Sequence, residues 1–307
     1  MEPVSGVYAI LATPFLPDGE LDETSLRRLT AATIEAGVDG ITALGVAGEA
    51  HKLDDTERRR VMMTVLEVTD GRLPVVVGAS RESTHATVAA ARMAKAAGAF
   101  GVMVAPPTFV QPGPALTTHF QHISEATGLP IVLQDFPPVN GVTLPARSIA
   151  ELVQSVPQII AVKVEDPPTP QRAAHLIDMI GDGVRIVGGL GGVYLLDELR
   201  CGSRGTMTGF AYPEVLVAIW RAWTRGDRAQ AATIYYRYLP LLVSEGQPKL
   251  GLAIRKEVLR RRGLIAHAAV RKPGPIADAR TLEALSQTLA DVDINAALER
   301  GDLSGSG

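Results

Sequence analysis

The phrase AGVDGI at residues 36–41 returns in kind as AGAFGV at 97–102 and CGSRGT at 201–206. Each follows a stretch of helical period and precedes a short apolar run. Glycine just past a helix supplies a left-handed C-cap, so each phrase reads as a helix stopping, a short turn and a strand starting. Strand-like runs recur along the chain as GVYAILATPF (6–15), DGITALGV (39–46), LPVVVGAS (73–80) and FGVMVAPP (100–107). They continue as LPIVLQDFP (129–137), IIAVKVED (159–166), VRIVGGLGG (184–192) and RGTMTGF (204–210). Helical patterns such as SLRRLTAATIEAG (25–37), THATVAAARMAKAAG (84–98) and SIAELVQSV (148–156) separate them. Eight strand–helix units without a linker predict an α/β fold of the TIM (β/α)8 type, for which about 250 residues is typical. The barrel is expected over 1–226, a C-terminal helical extension over 227–300 and a flexible tail over 301–307. Helical stretches after the eighth strand are expected near 213–245, 248–262 and 279–299.

The 307 residues are 46% hydrophobic, enough for one large core, and 30 basic against 33 acidic residues leave a net charge of −3. Neither sign forms a long run, which argues against a nucleic-acid or membrane surface. The cluster Arg260, Arg261 and Arg262 is read as a solvated helix end, where positive charge suits the helix dipole. A single cysteine, Cys201, excludes an internal disulfide and is expected as a small buried packing residue. The N-terminus lacks the features of a signal peptide and no apolar run reaches membrane-spanning length, so a cytoplasmic location is expected.

No G-x-G-x-x-G opens a helix after a strand with an acid about twenty residues on, no Walker A sequence occurs, and no histidine pair has H-E-x-x-H spacing. His119 and His122, three apart on a predicted helix, are read as exposed surface residues rather than metal ligands. No metal and no cofactor is expected.

The run IIAVKVED carries its own anomaly. Barrel strands alternate between interior and helix layer, so Ala161, Lys163 and Glu165 share one face and Val162 and Val164 the other. The valines suit the helices, which turns Lys163 and Glu165 inward, toward the C-terminal mouth where such barrels build their sites. A buried ammonium is costly unless it is paired or gives up its proton, and a neutral amine attacks ketones to form a Schiff base. Glu165 is the candidate for proton transfer at substrate C3 or C4. A structural Lys163–Glu165 ion pair plugging the mouth is the alternative.

The other strand ends extend the pattern: ATPF at 12–15, GVAGEA at 45–50, DFPPVNG at 135–141, AVKVED around Lys163 and GTMTGFAYP at 205–213. In order and spacing the chain resembles the dihydrodipicolinate synthase and N-acetylneuraminate lyase family of class I, Schiff-base lyases, over roughly residues 5–295. The resemblance implies that Lys163 carries an imine with a small-molecule 2-keto acid, without a cofactor, in a homotetramer. Gln134 stands where the family usually has a tyrosine. Val46 and Ala47 replace two hydroxyl residues, leaving only their backbone N–H groups for a carboxylate. Pro107 and Thr108 replace an aromatic pair. LQDFP, KVE, TMTG and YLPLL (238–242) resemble the L-2-keto-3-deoxyarabonate dehydratase-like members, 2-keto-3-deoxy sugar acid dehydratases.

That resemblance implies dehydration through Lys163, with Glu165 moving protons and Gln134 holding the substrate's carboxylate or hydroxyls. Gly189 is expected to offer a backbone contact, and Thr206 and Thr208 to reach sugar hydroxyls. Asp135, on the opposite face from Gln134, is expected to be structural, and Glu49 to anchor its loop. A pyruvate-using retro-aldolase or synthase is the alternative, and a non-catalytic keto-acid-binding barrel stands as the reading from another class.

Overall fold

The computed structural model describes residues 4–303. The first half of the barrel comprises β1 (Gly6–Ile10), α1 (Glu23–Glu35), β2 (Gly40–Ala43), α2 (Asp55–Thr69), β3 (Val75–Gly78), α3 (Thr84–Ala96), β4 (Gly101–Val104) and α4 (Pro114–Thr127). The second half runs β5 (Ile131–Asp135), α5 (Pro137–Asn140), α6 (Ala146–Ser155), β6 (Ile159–Val164), α7 (Thr169–Ile180), β7 (Arg185–Gly188), α8 (Leu195–Arg200), β8 (Gly205–Thr208) and α9 (Pro213–Thr224). After it come α10 (Arg228–Glu245), α11 (Gly251–Arg261), α12 (Ala279–Val292) and α13 (Ile294–Glu299). The strands pair in chain order, all parallel, and β1 closes on β8.

The repeated phrases do what their glycines require. Gly37, Gly98 and Gly202 take φ of +76°, +87° and +98°, a region that costs other residues strain. Helix starts are equally local. Asp54 caps α2 through the Glu57 N–H while Glu57 caps it in return, and Asp22, Ser83 and Asp278 accept the corresponding N–H groups of α1, α3 and α12.

Two apolar bodies result. Tyr8, Ile10, Val76, Met103, Val132 and Met207 belong to the cluster filling the barrel, and alternate residues such as Val7, Val75, Val162 and Val164 join the larger core beneath the helices. With both faces of each strand buried, the strands read as continuous apolar runs.

Several expectations change. The stretch 213–245 is two helices broken at Gly226 (φ +84°), and 279–299 breaks at Asp293 (φ +50°). Cys201 is half-buried rather than buried. His119 is buried, its Nδ1 paired with the Thr84 hydroxyl, while His122 is exposed, so the two do not share an environment. Arg262 is not solvated: it covers the Tyr212 ring and binds Glu214 at 2.6 Å. The chain end expected to fray from 301 still holds a buried Leu303, and 304–307 lie outside the described residues. No described helix is long and apolar enough to cross a membrane.

Candidate active site

Lys163 lies on β6 opposite Gln134 of β5 and Val187 of β7. Its Nζ is 2.7 Å from Glu165 Oε2, and that same oxygen accepts a hydrogen bond from Gln134 Nε2 at 2.8 Å. The other Glu165 oxygen faces the Leu190 N–H at 3.5 Å. Lys163, Gln134 and Glu165 are only 2%, 3% and 4% exposed. One carboxylate thus pairs the ammonium and orients the amide, and neither is left with an uncompensated charge beside it. The Phe136 ring, centred 5.9 Å from Nζ, adds an apolar wall. The structure therefore joins the three candidates from β5 and β6 in one unit.

Gly189 makes that unit possible. A Cβ there would come within 2.4 Å of the Glu165 Cγ, so the missing side chain is the space the carboxylate occupies. Its missing side chain leaves room for Glu165.

The loop after β2 is shaped by strain. Leu44 (φ +60°) and Glu49 (φ +54°) are left-handed although neither is glycine, a conformation that persists only where surroundings enforce it. A Cβ on Gly78 would lie 2.0 Å from the Leu44 carbonyl oxygen, so the neighbouring strand yields to this turn. Among the described residues the Val46 and Ala47 N–H groups donate to no protein acceptor. Val46 borders a cavity of about 270 Å³ that Met103, Gln134, Arg58 and Arg81 also line. Ala47 packs on the barrel-interior cluster. Two successive N–H groups without a protein acceptor thus lie in the loop that borders this cavity.

Thr206 and Thr208 do share a face, but it is the face turned to the helices. Met207 between them fills the barrel, the Thr206 hydroxyl donates to the Gly188 carbonyl, and the Thr208 hydroxyl accepts from the Gly191 N–H. This corrects their expected contact with sugar hydroxyls: they hold the loop after β7 from behind. Asp135 also points outward, pairing with Arg172 at 2.5 Å, and Arg172 further binds Asp166 at 3.2 Å and the Leu144 carbonyl. Burial pushes Asp135 up to about 6 against the pull of Arg172.

Glu198 on α8 escaped sequence reading because an isolated acid in an amphipathic helix looks solvated. It is fully buried behind Gly188, bonded at one oxygen to Thr169 and at the other to nothing among the described residues. Burial raises it from 4.5 to about 8, with Glu165 adding to the rise. Because the folded state holds a proton that the unfolded chain releases, stability from this group is complete below about pH 4.5 and is lost as pH rises to about 8. Calorimetry of wild type and Glu198→Gln should show the wild-type Tm advantage shrinking by several degrees from pH 5 to pH 8. Parallel curves would contradict the assignment.

A closed parallel barrel with a lysine, a carboxylate and an amide joined inside its C-terminal mouth defines a barrel enzyme that processes small molecules. The chain belongs to the Dihydrodipicolinate synthetase family, whose profile matches residues 3–292, and it is a lyase of that family. It is 32% identical over 275 residues to the L-2-keto-3-deoxyarabonate dehydratase of Azospirillum brasilense, covering 88% of each chain. It is 31% identical over 250 residues to the probable 2-dehydro-3-deoxy-D-pentonate aldolase YjhH of Escherichia coli (strain K12), covering 78% of this chain and 81% of that one. Among solved structures, the dihydrodipicolinate synthase of Rhodopseudomonas palustris superposes with a TM-score of 0.88 at 34% identity, covering 94% of this chain and 97% of that one.

Proposed function

We propose that the protein dehydrates a 2-keto-3-deoxy sugar acid through an imine on Lys163. The observation that carries this reading is the Glu165 carboxylate, held between Lys163 Nζ at 2.7 Å and Gln134 Nε2 at 2.8 Å. In this scheme Glu165 takes the ammonium proton, and the free amine adds to the C2 ketone with loss of water to give a protonated imine. A base removes a C3 proton, and the C–H electron pair moves into the imine to form an enamine. The enamine returns the pair to expel the C4 hydroxyl, which leaves as water after taking a proton. Hydrolysis of the imine then frees the unsaturated keto acid and Lys163. Glu165 is the group placed for these proton transfers, and the Val46 and Ala47 N–H groups receive the substrate carboxylate.

The amide at 134 supports elimination over retro-aldol cleavage. Cleavage needs a base for the C4 hydroxyl proton, and an amide cannot serve as one at neutral pH. The name of the Azospirillum relative points the same way, while that of the Escherichia coli relative points to cleavage. The same reading places the protein in the cytoplasm as a homotetramer. Phe109 and Val139, 90% and 56% exposed on the segments after β4 and β5, supply apolar surface for subunit contact.

Incubation with pyruvate or with keto-deoxy pentonates and hexonates, followed by borohydride, should add the corresponding mass to the peptide holding Lys163. The keto-deoxy acids should disappear without releasing pyruvate. Released pyruvate would establish cleavage instead, and folded protein without any adduct would favour a binding barrel.

A further inference from the structure

The loop that presents the Val46 and Ala47 N–H groups ends in Glu49, which is fully buried and left-handed. A buried carboxylate in a strained turn needs partners, and most of its partners come from the far end of the chain. Lys256 of α11, itself fully buried, donates to Glu49 Oε1 and to the Ala269 carbonyl at 2.7 Å. The Arg271 N–H and Lys52 Nζ reach Glu49 Oε2 at 3.0 and 2.9 Å, and Lys52 also binds the Arg271 carbonyl at 2.7 Å. The Arg271 guanidinium grips both oxygens of Glu57 at 2.6 Å and donates to the Lys52 carbonyl at 3.1 Å. Phe15 lies beneath both cations, its ring centre 4.4 Å from Lys256 Nζ and 4.3 Å from the Arg271 guanidinium carbon. Burial pushes Lys256 down to about 8 while Glu49 opposes the shift.

This cluster touches neither Lys163 nor Glu165 in any contact described above. A barrel needs none of it to close, since β1 to β8 complete the sheet without the extension. What it does hold is one turn: Glu49 stands two residues after Ala47, and the Gly48 carbonyl between them is bound by the Thr13 hydroxyl at 2.6 Å.

We infer that Lys256 and Arg271 are positioning residues: through Glu49, the C-terminal extension fixes the two N–H groups that receive the carboxylate of the keto acid. The inference rests on the proposed role of those N–H groups. With the turn fixed, both donors are held in place before substrate arrives. With Glu49 released, the left-handed turn relaxes and carboxylate affinity falls, while the imine chemistry at Lys163 stays intact.

The test is borohydride trapping on the full-length protein as a function of pyruvate concentration, for wild type, Lys256→Met and Lys52→Met, with steady-state turnover beside it. Methionine keeps the volume of the lysine stem and removes the charge. Half-saturating pyruvate, and KM for the turned-over keto acid, should rise about tenfold in Lys256→Met and by less in Lys52→Met. The adduct at saturation and kcat should stay within about twofold of wild type. A lower Tm with unchanged half-saturation in either folded variant overturns the inference and leaves the cluster a stability device. If Lys256→Met does not fold, Lys52→Met decides alone, since it also touches Glu49 and Arg271. Absence of an adduct in wild type would instead overturn the functional reading itself.

Discussion

Replacing Lys163 by methionine should abolish both the borohydride adduct and turnover, the latter by on the order of 10⁴-fold or more, because no neighbouring group can supply the amine. The other nitrogen-bearing side chains that line the cavity, the Gln134 amide, the His51 imidazole and the Arg58 and Arg81 guanidinium groups, are not primary amines and do not take over the imine. The variant keeps the apolar stem in a barrel interior where Lys163 is 2% exposed, so packing is preserved. It also strands the Glu165 carboxylate with Gln134 and the more distant Leu190 N–H, and breaking a buried pair in this way costs about 3–5 kcal/mol. Circular dichroism and calorimetry should therefore report a folded protein with a lowered Tm. A variant that still turns over substrate would remove Lys163 from the chemistry and leave the ion pair as a plug.

Glu165→Gln should separate the two halves of the reaction. The amide retains a hydrogen-bonding oxygen near Gln134 Nε2 and fits the space opened by Gly189, so the barrel mouth keeps its shape. It cannot exchange protons at C3 or C4. Pyruvate should still label Lys163, more slowly, while dehydration of the keto-deoxy acid falls by roughly 10²- to 10⁴-fold, the usual worth of a positioned acid–base group. Mass spectrometry of the trapped enzyme and a substrate-depletion assay check the two halves in the same sample. Loss of labelling along with turnover would make Glu165 an anchor for Lys163. Turnover within tenfold of wild type would send the proton transfers to another group.

The barrel was legible because its signals are local. A glycine at 37, 98 or 202 stops a helix whatever lies around it, and the spacing of the apolar runs counts the strands. The inward lysine was legible for the same reason: Val162 and Val164 mark the helix-facing side of β6, and alternation does the rest.

Strand eight shows where that logic fails. GTMT alternates threonine with methionine, but both faces of the strand are buried, so the alternation does not say which face is inward, and the parity of Thr206 and Thr208 is set by registration against β1, where Tyr8 lies opposite Met207. A residue two positions along the chain from its expected partner, as Glu165 at the end of β6 is from Lys163, can be placed by sequence. A contact between strands or between chain ends cannot.

The sequence by itself determined the barrel and the inward face holding Lys163 and Glu165, because helix stops and strand alternation depend on neighbours within a few residues, and the resemblance of its strand-end motifs pointed to the family. Only the tertiary structure decided that Gln134 and Lys163 share one carboxylate oxygen, that Gly189 makes room for it, and that Thr206 and Thr208 look outward. It also decided that Lys256 meets Glu49 across 207 positions of sequence. These depend on barrel closure and on the path of the extension, which bring together groups that no local period relates.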